Sequence, residues 1–249
     1  MFFILAGEGT SDLGSLDQAG ILKKGPMTWI IDHICRVQQD ATPEYELMTE
    51  SKLKHLCKND QRNIMPSRPD QEKITEKIWL VAKYLGNIAK ERAETTGVIL
   101  FKDSDGTRSV PRDRWEQMVR AMESGFQNAS FQYGVAMVPR PKSEAWLLAY
   151  YQKGLPNTLP YQNTSRFEEL PGNDGSPKSA KALLSQAFDN AGNPYKLISE
   201  SEISEVDWEA VDMPSFQLFR QRLQNVIAMI NHRSCPHSCQ DTLLTTRKN

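Results

Sequence analysis

The sequence lacks most of the features that assign a protein quickly. It has no charge imbalance: 30 basic and 31 acidic residues leave a net charge of −1. A strongly basic domain would point to nucleic acid through its overall field, so any basic surface here must be local and balanced by acid elsewhere. Cysteine is scarce, with only Cys35, Cys57, Cys235 and Cys239. Their spacing gives no disulfide framework, and free thiols suit a reducing compartment, so the expected location is the cytoplasm. Long hydrophobic runs are missing too. The run Phe2–Ala6 is too short for a signal peptide or a membrane span and has no basic segment before it. No Gly-x-x-x-x-Gly-Lys-Ser/Thr occurs, which excludes a P-loop ATPase, and there is no internal repeat or low-complexity tract. What is present is ordinary: 39% hydrophobic and 24% charged residues, the composition of a globular protein. A chain of 249 residues buries roughly three quarters of its unfolded surface and needs no staples.

The order of apolar segments predicts the fold. Residues 2–6 are continuously apolar and end in Gly7-Glu8-Gly9, the pattern of a strand buried on both faces. A Gly-rich loop through Gly14 and Gly20 follows. Pro26 then opens a helix whose apolar positions are Trp29, Ile30, His33, Ile34 and Val37. Tyr45–Met48 predicts a second strand, and 50–70 is charged and turn-rich. The spacing of Ile74, Ile78, Val81, Ala82, Leu85, Ile88 and Ala89 predicts a helix over 70–94. Gly97 ends that region and Val98–Phe101 is a strand. Pro111 starts a helix to about Gly125, Tyr133–Val138 is a strand, and Pro141 opens the helix that carries Glu144. Such alternation implies an α/β fold, a mainly parallel, Rossmann-like sheet flanked by helices. Residues 154–176 read as a loop, followed by helices near 177–191, 200–210 and 213–231. The expected organisation is a core over 1–153, a helical C-terminal extension of the same domain over 154–239, and a frayed, disordered tail over 240–249.

Two acidic clusters follow predicted strands: Gly7-Glu8-Gly9-Thr10-Ser11-Asp12 and Asp103-Ser104-Asp105-Gly106. Sites in open α/β sheets form beyond the carboxyl ends of the strands, so both loops can reach one rim. Carboxylates converging there repel one another unless a cation binds. Oxygen-only ligands favour Mg2+ or Mn2+, ions that polarise a phosphoryl oxygen and activate water for in-line attack. Flanking glycines let a substrate approach closely. Each cluster alone also reads as a plain turn; both at the ends of apolar strands favour a site.

This order, a glutamate after the first strand and Asp-x-Asp after a later one, resembles the Toprim fold of topoisomerases, primases and OLD-family nucleases. It is also similar to small stand-alone Toprim-like proteins of bacteria, which have a Glu-Gly-x-Ser-Asp-like start, an Asp-x-Asp-Gly strand end and a Glu-Ala-Trp-Leu-Leu-Ala helix. The matching segments are Glu8–Asp12, Asp103–Gly106 and Glu144–Ala149; the last is the most specific, the Asp-x-Asp alone is weak. Ser176-Pro177-Lys178, Tyr195-Lys196 and Pro214-Ser215-Phe216 resemble the C-terminal half of that group, so the likeness spans nearly the whole chain. It implies a metal-dependent nuclease, an endonuclease-type hydrolase acting on DNA phosphodiester bonds in anti-phage or plasmid defence. Glu8 resembles the metal ligand or general base, Asp103 and Asp105 the metal ligands, and Asp12 a helper acting on the metal through water. Glu144 takes a second cation or simply favours a helix N-terminus. Lys178 resembles the basic residue beside the scissile phosphate, with a solvated lysine as its plain reading; Arg140 and Lys142 are phosphate-contact candidates. OLD-type proteins fuse their Toprim domain to an ATPase, so the resemblance implies a separate ATPase partner of the OLD/ABC type, and a homo-oligomer is allowed. Lys102, before the first aspartate, departs from an apolar strand end.

Three other readings compete. Val98–Thr107 resembles the first motif of haloacid-dehalogenase-type phosphatases, but that motif belongs on the first strand, and no apolar strand ending in Gly-Asp-x-x-x-Asp follows. Cys235 and Cys239, with His232 and His237, form a possible zinc half-site without a second paired spacing; Cys35 reads as core. A non-catalytic subunit serving an ATPase is the third, weighed against the retention of all three core carboxylates. The five tryptophans read as packing anchors rather than base-stacking platforms.

Overall fold

The structure, a computed structural model, describes residues 1–7, 9, 11–40, 42–49, 51–53, 55, 57, 70–92, 95–104, 112–154, 163–190, 200–204 and 206–234. In chain order its elements are β1 (Phe2–Gly7), β2 (Gly14–Leu16), β3 (Leu22–Lys24), α1 (Pro26–Gln39), β4 (Glu44–Met48), α2 (Asp70–Arg92), β5 (Thr96–Phe101), α3 (Arg112–Asn128), β6 (Gly134–Met137), α4 (Ser143–Gly154), α5 (Ala180–Asn190), α6 (Glu200–Ser204) and α7 (Pro214–Ser234). Two 3-10 turns lie at Thr164–Glu169 and Trp208–Ala210.

Four strands form one parallel sheet in the order β4-β1-β5-β6. Phe3–Ala6 and Val98–Phe101 are buried in β1 and β5. Helices cover both faces of such a sheet, so its inner strands have no polar side to show. The α/β architecture expected from the apolar runs is therefore present. Gly97 lies inside β5 rather than ahead of it: a Cβ there would stand 2.2 Å from the ring of Phe3. The glycine is thus a packing requirement, which sequence reading took for a boundary.

The segment read as a Gly-rich loop contains a small antiparallel hairpin, β2 against β3. Its base is tied to α1 and the edge strand. Lys24 Nζ lies 2.6 Å from Asp32 Oδ2, and Tyr45 Oη donates to Asp32 Oδ1 at 2.7 Å. Asp32 is fully buried, and a buried carboxylate persists only when paired and hydrogen-bonded. Burial, and next the charge of Asp32, push the neighbouring Cys35 thiol up to about 12. That is the inert behaviour of a core cysteine, as its place on the helix suggested. Val37, placed on the buried stripe of α1, is instead 66% exposed; it falls at the margin of the apolar arc.

Residues 154–176 were expected to be loop throughout; Thr164–Glu169 form a 3-10 helix instead, capped by Asn163. The predicted helix near 200–210 is divided into α6 and the Trp208–Ala210 turn. The C-terminal helices join the core of the sheet. Phe216 and Phe219 of α7 pack on Trp146 at ring-centroid distances of 5.2 and 5.5 Å, and Trp146 Nε1 donates to Ser215 Oγ at 2.8 Å. Buried Glu168 accepts the Ser215 N–H at 2.6 Å, satisfying a donor at the start of α7. Among the described residues no helix is long and apolar enough to cross a membrane.

Candidate active site at the carboxyl rim of the sheet

β1, β5 and β6 end level with one another: Gly7 pairs with Phe101, and Phe101 with Met137. Gly7 has φ +154°, and a Cβ there would meet the Phe101 carbonyl oxygen at 2.3 Å. Only glycine allows β1 to end pressed so closely against β5. Beyond β5 the chain stays beside the exit of β6. Lys102 N–H donates to the Met137 carbonyl at 3.0 Å and Ser104 N–H to the Pro139 carbonyl at 3.2 Å. The buried Ser104 hydroxyl donates to the same carbonyl at 2.9 Å.

This path delivers Asp103 to the first turn of α4, where its Oδ1 accepts the Ser143 N–H at 2.9 Å. Asp12 arrives at the same serine from the loop after β1. Ser143 Oγ donates to Asp12 Oδ1 at 2.5 Å, and Ser11 Oγ to Asp12 Oδ2 at 3.2 Å. One serine therefore holds two carboxylates from the ends of two strands, at a helix N-terminus where free N–H groups and the dipole favour negative charge. Glu144 follows directly, half-buried, with Oε2 3.5 Å from Ser143 Oγ. Burial pushes its carboxyl above the usual range. Its own N–H counteracts this, the negative charge of Asp12 adds to it, and Lys142 and Lys181 offset it in part.

Cations border the acids. Lys142 Nζ lies 2.7 Å from Asp174 Oδ1, and Lys181 Nζ 3.6 Å from Asp174 Oδ2. The hydrogen bond from Lys142 holds the Asp174 carboxyl below its ordinary value. Lys178 is exposed in the turn before α5, two residues ahead of the helix it was expected to open. Among the described residues no hydrogen bond or ion pair joins its side chain to Asp12, Asp103 or Glu144. Arg140, read as a phosphate contact, has its guanidinium 4.0 Å from buried Glu168, and its buried Nε has no acceptor among the described residues.

The rim therefore joins Asp12 and Asp103 through Ser143, with Glu144 next to that serine. Glu8 and Asp105, the other two expected ligands, lie outside the described residues, as do Cys235, His237 and Cys239. Among the described residues no three His, Cys, Asp or Glu side chains stand together as a ready metal-ligand group. The donor set is nonetheless entirely oxygen, which fits in kind a hard cation such as Mg2+ or Mn2+. Sequence reading missed Ser143, Asp174 and Lys181. The signal for Ser143 was present: a serine before an acid, opening a helix soon after a strand, is a residue type that serves helix N-termini. Compared with protein-family profiles, curated proteins and solved structures, the chain matches none.

Proposed function

We propose that this chain is a Toprim-like, metal-dependent nuclease that hydrolyses phosphodiester bonds at the rim formed by β1, β5 and β6. One observation carries the reading: Ser143 gathers Asp12 and Asp103 from two separate strand ends, with a partly buried third acid, Glu144, beside them. The negative charge of Asp12 works against ionisation of Glu144, and a divalent cation would relieve this. In this reading Asp103, Asp12 and Glu144 supply oxygen ligands, and Glu8 and Asp105 complete the set. Such a cation, when bound, polarises the phosphoryl oxygen and lowers the pKa of water. Ser143 fixes the direction of two carboxylates. Lys142 and Lys181 keep positive charge beside the place where charge builds up on the phosphate, and the exposed Lys178 is free to meet a substrate from the solvent side. DNA as substrate, a separate ATPase of the OLD/ABC type as partner, and a role in anti-phage or plasmid defence follow from the sequence resemblance.

The test is nicking of supercoiled plasmid with Mn2+ or Mg2+, comparing the native chain with Glu8→Ala and Asp103→Ala. Loss of one charge-stabilising group typically lowers the rate by about 100- to 1,000-fold, and each variant is expected in that range. Intact plasmid with the native chain under both ions, or undiminished cutting by the variants, overturns the reading.

A further inference from the structure

Beside the acidic rim lies a second feature that the reading above leaves unused. A cleft of about 510 Å³ opens between the β2–β3 hairpin, the first turn of α1 and α6. That size falls within the range of about 300–1,000 Å³ usual for small-ligand sites. Its walls include Ser11, Ser15, Lys23, Lys24, Trp29 and Glu200.

The charges divide unevenly. Lys24 is bound to Asp32 at 2.6 Å and Glu200 to Arg36 at 3.4 Å. Lys23 is exposed and forms no ion pair among the described residues, so it gives the cleft its uncompensated positive charge. Trp29 is half-buried: part of it packs on the core and part lines the cleft. Ser11 connects the cleft to the rim, because the same side chain lines the one and donates to Asp12 at 3.2 Å in the other. An aromatic face, an exposed ammonium and two hydroxyls in one groove match the parts of a nucleotide strand: a base to stack, a phosphate to neutralise, and sugar or phosphate oxygens to hydrogen-bond.

We propose that this cleft seats the nucleotide next to the scissile phosphate as a single strand, with Trp29 stacking on its base and Lys23 on its phosphate. The proposal rests on the nuclease reading for its place beside the scissile bond, although the cleft's affinity for a strand does not depend on cleavage. Splaying one strand into the cleft would set its neighbouring phosphate over Asp12 and Asp103.

The experiment uses the full chain in EDTA, so that cleavage is silent, with short oligodeoxythymidylate and oligouridylate as separate probes. Binding is read from tryptophan fluorescence and probe anisotropy. Trp29→Leu is expected to weaken binding roughly ten- to a hundredfold, as for the loss of one base stack, while Trp29→Phe retains most of the affinity. Lys23→Gln, at an exposed position that folding tolerates, is expected to flatten the slope of log affinity against log salt by about 0.7, the value for one phosphate on a single strand. Binding of either probe that weakens in Trp29→Leu or loses salt slope in Lys23→Gln supports the cleft. Affinity and salt slope unchanged in both Trp29→Leu and Lys23→Gln overturn it. Plasmid nicking run in parallel separates the two readings. Metal-dependent nicking with no effect of either variant on oligonucleotide binding discards the cleft alone. Strand binding that depends on Trp29 and Lys23, without metal-dependent nicking, discards the nuclease reading and leaves the cleft as a strand-binding groove.

Discussion

Ser143 shows how one small side chain can organise a charged rim. Its N–H serves Asp103 and its hydroxyl serves Asp12, so Ser143→Ala removes half of the arrangement and leaves the other half in place. A single hydrogen bond contributes about 1 kcal/mol, which for a chain of this length shifts the melting temperature by only about 2–4 °C. The loss of direction at Asp12 is expected to matter more: metal-dependent nicking should fall about tenfold, while Ser143→Thr, which keeps the hydroxyl, recovers it. A parallel loss of melting temperature and activity in both variants would assign the serine to stability alone. Glu144 gives a second test at this scale. Its carboxyl is raised by burial, so the folded state holds a proton that the unfolded state releases at the ordinary carboxylate value. Between those two values the folded chain binds more protons, and stability therefore falls as pH rises through that window; below it Glu144 contributes nothing to the slope. Glu144→Gln should abolish this part of the decline, giving a variant more stable than the native chain above the window and similar to it below. Urea denaturation across acidic to neutral pH measures the difference, and a native chain that gains on the variant as pH rises contradicts the assignment. Of these residues the acids were legible in the sequence because carboxylates after apolar strands are chemically conspicuous. Serine is common at helix starts, and only the fold reveals which carboxylates it meets.

Among the elements, legibility followed length and apolar continuity. β1, β5, α1 and α2 were readable because burial on one stripe or both faces leaves a long periodic trace. The hairpin was not: Gly14–Leu16 and Leu22–Lys24 are three residues each, too short for alternation to register, and two of the residues in β3 are lysines. Its place is fixed by the tertiary contact of Lys24 with buried Asp32. The 3-10 segment at Thr164–Glu169 was equally hidden, since its purpose is to bring Glu168 to the start of α7, a partner some fifty positions on. Gly97 separates local propensity from packing. Glycine is a poor strand former, and propensity alone would favour replacing it. The ring of Phe3, however, occupies the place where a side chain would go. Overpacking of this kind costs about 1–3 kcal/mol, so Gly97→Ala is expected to lower the urea midpoint without changing the slope of the transition. A raised midpoint would mean that propensity outweighs the contact and that β1 and β5 have room to separate.

For the molecule as a whole, one core runs from the strands through Trp146 to Phe216, Phe219 and Leu223 of α7, so the acidic rim and the C-terminal helices share a single cooperative unit. Under the proposed function, net charge near zero would leave nucleic-acid affinity to local features, the cations beside Glu144 and the cleft beside Asp12, because the global field supplies little. At the rim, burial and then the charge of Asp12 work against ionisation of Glu144. A cation bound at the rim by the folded chain alone would stabilise it by mass action. At a hundredfold excess over its dissociation constant the ion contributes about 2.7 kcal/mol, which corresponds to a rise in melting temperature of about 5–10 °C for a chain of this size. Scanning calorimetry with Mn2+ or Mg2+ is expected to show that rise, EDTA to reverse it, and Asp103→Ala to remove it while itself melting near the metal-free native chain. Ca2+, which also takes oxygen ligands but tolerates looser geometry, should shift the native chain too while supporting less cleavage. A native chain whose melting temperature ignores all three ions leaves its carboxylates to be explained as helix caps, because a site that gains no free energy from the ion cannot concentrate it for chemistry.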